Sequence, residues 1–281
     1  MTEKQLKEIT ETFTAKTIKE QKRFVDMYSQ TMLYDTDCNG NNILHLAGEF
    51  STLEIFDYIL QKDEEEQLWD ALNSSGLEPL GHAIAHGRDI AIVKKYISHL
   101  SEDDVLGENQ YTPLHLAAGF NPDKEFTEFC LSLGYAIHHS DKNCYSPIEL
   151  ALEHQSNPEV IELLLEAERK NCLESVSTNT NPEVLKLLQK KGYDLNTQFS
   201  GGKSLIHLVT HKNTNHDFFI TLYELGAVLE AKDNDGRTVL HYAAMNEDHR
   251  IYEFLKQQSS ELLSDLNCKD SAGNFPEVYL E

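Results

Sequence analysis

Thr112-Pro113-Leu114-His115-Leu116-Ala117-Ala118 is the stretch around which this sequence is organised. Its pattern returns in Asn42-Ile43-Leu44-His45-Leu46-Ala47, in Ser146-Pro147-Ile148-Glu149-Leu150-Ala151, in Ser204-Leu205-Ile206-His207 and in Thr238-Val239-Leu240-His241-Tyr242-Ala243-Ala244. A degenerate copy, Glu78-Pro79-Leu80-Gly81-His82-Ala83, places Gly81 where the first motif has His115. Leu44, Leu80, Leu114, Ile148, Ile206 and Leu240 are equivalent, at successive intervals of 36, 34, 34, 58 and 34 residues. The long interval is one period with 24 residues to spare. That surplus contains Asn181-Pro182-Glu183-Val184-Leu185, which copies the helix opening Asn157-Pro158-Glu159. Proline in the first turn behind an Asn cap is a standard helix start. The sequence predicts a shortened repeat over 171–198, with a stunted first helix near Cys172–Ser177 and little turn before it.

The residues between copies read as turns and second helices. Asp37-Cys38-Asn39-Gly40 puts glycine where a turn wants positive φ. Thr52–Leu60 is apolar at Leu53, Phe56, Ile59 and Leu60, one face of a helix. Asp63-Glu64-Glu65-Glu66 reads as a solvated acidic face. Residues 1–34 lack the motif, but Leu6, Ile9 and Phe13, then Phe24, Tyr28 and Met32, mark two amphipathic helices suited to capping a stack. Four repeats are expected over 35–170 and the remainder over 199–281. Asp270-Ser271-Ala272-Gly273-Asn274-Phe275-Pro276 opens an eighth turn, which either caps the stack or continues in a longer chain. Whether the short repeat divides the stack into 1–170 and 171–281 is left open.

Of 281 residues, 40% are hydrophobic and 25% charged, the composition of a folded protein. Lys and Arg number 24 against 47 Asp and Glu, a formal charge of −23, which disfavours nucleic acid and anionic membranes and suits a basic partner. The same acids also serve simply to solvate outer helix faces. No apolar run approaches the roughly 20 residues needed to span a bilayer, and the polar start Met1-Thr2-Glu3-Lys4-Gln5 does not resemble a signal peptide. Five scattered cysteines without a C-x-x-C pair point to reduced thiols in the cytoplasm rather than to disulfides or structural zinc.

Thr-Pro-Leu-His-x-Ala at a period near 33 is the mark of the ankyrin repeat, and over roughly 35–276 the chain resembles that family. The resemblance implies an all-α solenoid of helix-turn-helix repeats with short β-turn fingers and an N-terminal helical cap. It implies that Thr112 and Thr238 cap first helices, and that His45, His115, His207 and His241 bond backbone between repeats. Gly81 departs from the pattern, so those bonds are expected to be missing in the second repeat. The resemblance further implies a protein partner held on a concave face of fingers and first helices. On the fingers the residues so placed are Asn39, Asn41, Leu77, Asn109, Tyr111, Tyr145, Lys203, Asn234 and Arg237. On the helices they are Glu49, Phe50, His86, Arg88, Phe120, His154, His211, Lys212, Met245 and Asn246. Aromatic and apolar side chains at such positions mark an interface, unless neighbouring fingers cover them. His154, His211 and Lys212 form a weakly basic end, suited to an acidic segment.

Chemical motifs carry less. Gly201-Gly202-Lys203-Ser204 resembles the end of a phosphate loop, but Thr197 stands where its first glycine belongs. Cys144 beside His115, or Cys172 with nearby histidines, offers a thiol nucleophile, although a solenoid offers no cleft. His138-His139 and His211 with His216 lack a third metal ligand. No metal and no cofactor are expected. Three functions stay open: a non-enzymatic, monomeric cytoplasmic adaptor; an effector that an intracellular bacterial pathogen secretes into host cytoplasm, working by the same surface; and an enzyme with a cryptic cysteine site.

Overall fold

The structure is a computed structural model that describes residues 1–27, 33–100, 104–155, 157–167, 173–212, 215–258 and 260–280, with backbone alone at 99, 260 and 261. Tyr28 and Met32, expected on the second capping helix, lie outside these residues, as does Cys172. The described chain is helical, and its extended pairing consists of two isolated bridges, Leu106 with Tyr111 and Gln198 with Ser204. Two compact units divide it, Met1–Ala151 and Leu152–Glu281.

In the first unit, α1 (Glu3–Ala15) and α2 (Ile18–Met27) precede three helix pairs: α3 (Ile43–Phe50) with α4 (Leu53–Leu60), α5 (Pro79–His86) with α6 (Ile90–Tyr96), and α7 (Pro113–Phe120) with α8 (Lys124–Ser132). A further first helix, α9 (Pro147–His154), begins at its end. Helices of eight residues are marginal alone. They persist here because stacking buries nearly all of α3, α5 and α7. Thr2 and Gln5 cap α1 reciprocally, and Ile9 and Phe13 bury its inner face beside α3. Phe56 is fully enclosed, in ring contact with Trp69 and Tyr96. Of the acidic run at 63–66, Asp63 is not solvated. It is buried, accepts the Tyr34 hydroxyl at 2.8 Å and takes the Leu68 N–H at 2.8 Å.

The second unit holds α10 (Pro158–Ala167), α11 (Pro182–Lys190), α12 (Leu205–Lys212), α13 (His216–Glu224), α14 (Val239–Met245), α15 (Arg250–Lys256) and α16 (Ser260–Leu266). In the shortened repeat a 3-10 turn, Leu173–Thr178, replaces a first helix and packs on α12 through this unit's core. A second 3-10 turn, Pro276–Tyr279, packs on α14.

The fingers are built alike. One Asp oxygen accepts two backbone N–H groups: Asp37 from Asn39 and Asn41, Asp141 from Asn143 and Tyr145, Asp233 from Asp235 and Arg237, all within 2.9 Å. Successive fingers are then joined by backbone bonds. In the first unit these run from Ser74 N–H to Asn39 O, Glu108 N–H to Gly76 O and Lys142 N–H to Asn109 O. In the second they run from Asn234 N–H to Gly201 O and Ser271 N–H to Asp235 O. This spacing is why Gly107, at φ +70, and Gly202, at φ +74, have no side chain. A Cβ would stand 2.4 Å from Gly76 O in one case and 2.3 Å from Asn234 Oδ1 in the other.

Candidate protein-binding faces

Four histidines bridge from a first helix to the next repeat. The Nε2 of His45 donates to Leu77 O (2.9 Å), of His115 to Tyr145 O (3.0 Å), of His207 to Ala231 O (3.0 Å) and of His241 to Asn274 O (3.4 Å). The other nitrogen faces the helix cap. Thr112 donates its N–H to His115 Nδ1 at 3.1 Å, and Thr238 does the same to His241 at 3.1 Å. All four rings are fully buried. Burial pushes each imidazole below the ordinary histidine range, His45 to about 4. They are neutral struts, and with both nitrogens engaged His115 has no lone pair left to activate Cys144. That cysteine is exposed on a left-handed turn residue, φ +69. The buried Cys130 thiol is pushed up to about 12, away from the thiolate. Among the described residues no group of three His, Cys, Asp or Glu side chains is placed to hold a metal ion.

The second repeat solves the missing histidine differently. The Glu78 carboxylate lies 3.6 Å from the position of a Cβ on Gly81 and accepts backbone N–H bonds from Glu78 itself and Gly107. Its Oε2 is buried without a hydrogen-bond partner among the described residues, and burial raises its pKa. A neighbouring histidine, His82, turns instead to Glu49, with Nε2 and Oε2 3.0 Å apart.

Exposure sorts the expected contact residues. Asn39, His86, Arg88, Tyr145, His154, His211 and Lys212 are exposed, and Asn234 with them. Glu49, Phe50, Asn109, Tyr111, Phe120, Lys203, Arg237 and Met245 are half-buried. Three expectations are corrected. Leu77 is only 4% exposed, because the bare Gly81 and Gly107 leave room for its side chain, whose Cδ2 stands 3.5 and 3.0 Å from the positions of a Cβ on each. Asn41 is buried, its Nδ2 on Asp37 Oδ2 at 3.2 Å and its Oδ1 taking Asn73 Nδ2 at 2.9 Å. Asn246 is buried as a staple, its Nδ2 on Thr210 O at 2.7 Å, a job shared by Asn121 on Ile84 O and Asn179 on Leu152 O.

Some of the remaining residues are brought into contact with one another in each unit. In the first, the Arg88 guanidinium sits 5.6 Å over the Phe50 ring, and Tyr111 lies edge-on to Phe120 at 6.0 Å, with Tyr145 on the next finger. In the second, Lys203 Nζ stands 5.7 Å over the Tyr242 ring, the His211 ring 5.7 Å from it, and Arg237 5.7 Å over Tyr279. What alignment missed is the tyrosine that two of the finger carboxylates accept from. Tyr242 donates to Asp233 Oδ2 and Tyr279 to Asp270 Oδ2, both at 2.5 Å and both nine residues on. Asp141 has Leu150 at that place, and its buried Oδ2 has no hydrogen-bond partner among the described residues.

Comparison with known proteins agrees with this geometry. A family model described as ankyrin repeats (3 copies) matches residues 173–270. Transient receptor potential cation channel subfamily A member 1 of Drosophila melanogaster is 27% identical over 186 residues, 59% of this chain and 15% of that protein. Alpha-latroinsectotoxin-Lt1a of Latrodectus tredecimguttatus is 28% identical over 326 residues, 93% of this chain and 22% of the toxin. The chain thus spans about a fifth or less of the length of these relatives. The crystal structure of the human ASB11 ankyrin repeat domain superposes with a TM-score of 0.56 at 18% identity, covering 73% of this chain and 92% of that domain, a likeness of fold alone. Motif, histidine struts, stacked fingers and these matches together make the chain an ankyrin-repeat protein.

Proposed function

We propose that the chain is a non-enzymatic adaptor that binds a partner protein on the concave face of fingers and first helices. Ankyrin repeats are in general protein-interaction modules, and their fold is typically non-catalytic. The observation that carries the reading is the run of aromatic rings and a guanidinium in the first unit, Phe50 under Arg88, Tyr111 against Phe120, and Tyr145 with 37% of its surface in solvent. Tyr, Trp and Arg dominate interface hot spots because they bury much area at small entropic cost. The histidines that look like bases in the sequence are consumed by backbone, which favours binding over turnover. The exposed thiols of Cys38 and Cys144 suit a reducing compartment such as the cytoplasm.

The test is affinity capture from eukaryotic cytosol, wild type beside a Phe50→Ala/Tyr111→Ala/Tyr145→Ala variant whose circular dichroism matches wild type. A protein held by wild type and lost by the variant supports the reading. One retained equally by both rejects this face.

A further inference from the structure

The second unit carries a cluster of basic side chains that the chain's balance of −23 does not foretell. Lys203 comes from one finger, His211 and Lys212 from the end of α12, and Arg237 from the next finger. The aromatic Tyr242 and Tyr279 lie under Lys203 and Arg237. Arg237 is partly neutralised by Asp235, at 3.5 Å, and Asp270, at 3.8 Å. Neither Lys203 nor Lys212 is in an ion pair with a described residue. The Asp233 carboxylate below them is buried and committed to the Tyr242 hydroxyl and two finger N–H groups. Partial loss of solvent and then the charges of Lys203 and Lys212 hold the His211 imidazole below its ordinary range, so the local field here is positive. Two ammonium groups in no ion pair with a described residue, beside an aromatic floor and on a surface otherwise dominated by acids, are a complement to anions rather than a means of solvation.

We propose that this face of the second unit, from Lys203 to Arg237, binds an acidic segment of a protein partner, with Glu or Asp side chains set against Lys203 and Lys212. The proposal rests on the protein-binding reading above and deepens it. Flexible carboxylate side chains fit two ammonium groups on separate elements, since each pair forms independently and needs no rigid geometry. The high negative charge elsewhere repels the same segment, so the cluster selects where it lands.

The experiment is fluorescence anisotropy of a labelled hexaglutamate peptide with the full chain at low ionic strength, beside the matching glutamine peptide and a single-stranded RNA of equal charge. Wild type is expected to bind the glutamate peptide and not the glutamine one. Lys203→Gln/Lys212→Gln is expected to weaken binding about tenfold, two surface charge contacts' worth, while Lys94→Gln/Lys95→Gln on α6 leaves it unchanged. Equal binding by wild type and the first variant, no binding by wild type, or RNA bound as tightly as the peptide each overturns the proposal. The adaptor reading is judged separately, by the Phe50/Tyr111/Tyr145 variant in the first unit, so the failure of one is distinguished from the failure of the other.

Discussion

Acidification is expected to unfold the first unit through its histidine struts, and His45 sets the scale. Its ring is fully buried and its Nε2 donates to Leu77 O at 2.9 Å. Burial lowers its pKa from 6.5 to about 4. The unfolded chain therefore binds this proton more readily than the folded one. Its contribution is complete above about pH 6.5 and is lost as pH falls toward 4. At about 1.4 kcal/mol per pH unit, that interval is worth about 3 kcal/mol. His115 is shifted in the same direction for the same reason and adds to the loss. Trp69, the sole tryptophan, packs on Tyr96 at 5.0 Å in the same unit, so its fluorescence follows this unfolding alone. Urea midpoints between about pH 7.5 and pH 4.5 should fall for wild type and fall less steeply for His45→Gln, which has no proton to take up. Relief of charge repulsion near the pI acts on both proteins alike. Parallel curves for the two would refute the assignment of His45 as a buried neutral strut.

Further changes test other joints. His115→Leu strands the Thr112 N–H and takes one of two donors from Tyr145 O, which keeps the Asp141 N–H at 2.8 Å; it should cost about 1–3 kcal/mol by urea unfolding, the cost of one unmet group. Leu150→Tyr should offer a hydroxyl to the orphan Asp141 Oδ2; it is expected to be about 1–2 kcal/mol more stable than Leu150→Phe, and equal stabilities would deny the bond. Gly81→His with Glu78→Thr should restore the usual strut, remove a helical glycine and a stranded carboxylate oxygen, and raise stability by about 1–3 kcal/mol. A lower thermal midpoint would mean that Leu77 and Glu78 fill the site better than an imidazole does.

The period of 34 was enough to place the helix pairs, because each repeat buries the same apolar positions against its neighbours and so repeats the same demand on sequence. The histidines were legible for the same reason: a buried imidazole between a cap N–H and a distant carbonyl recurs at a fixed offset. Leu77 was misplaced because its orientation depends on two glycines, 81 and 107, one of them in the next repeat, and finger register alone does not contain that. Asp63 was misread because its neighbours Glu64, Glu65 and Glu66 are solvated, whereas Asp63 is held by the Tyr34 hydroxyl, 29 residues earlier, and by the Gln67 and Leu68 N–H groups. The Asp–Tyr pairs at nine residues were visible at 233 and 270 but carry no meaning until the finger and first helix are folded onto one another.

The most direct test of the account is hydrogen–deuterium exchange on the chain with and without its captured partner. The account predicts protection on the first unit's fingers and inner helices, around 49–50, 86–88, 109–111, 120 and 145. Protection confined to the outer helices, 53–60, 90–96 and 124–132, would contradict it.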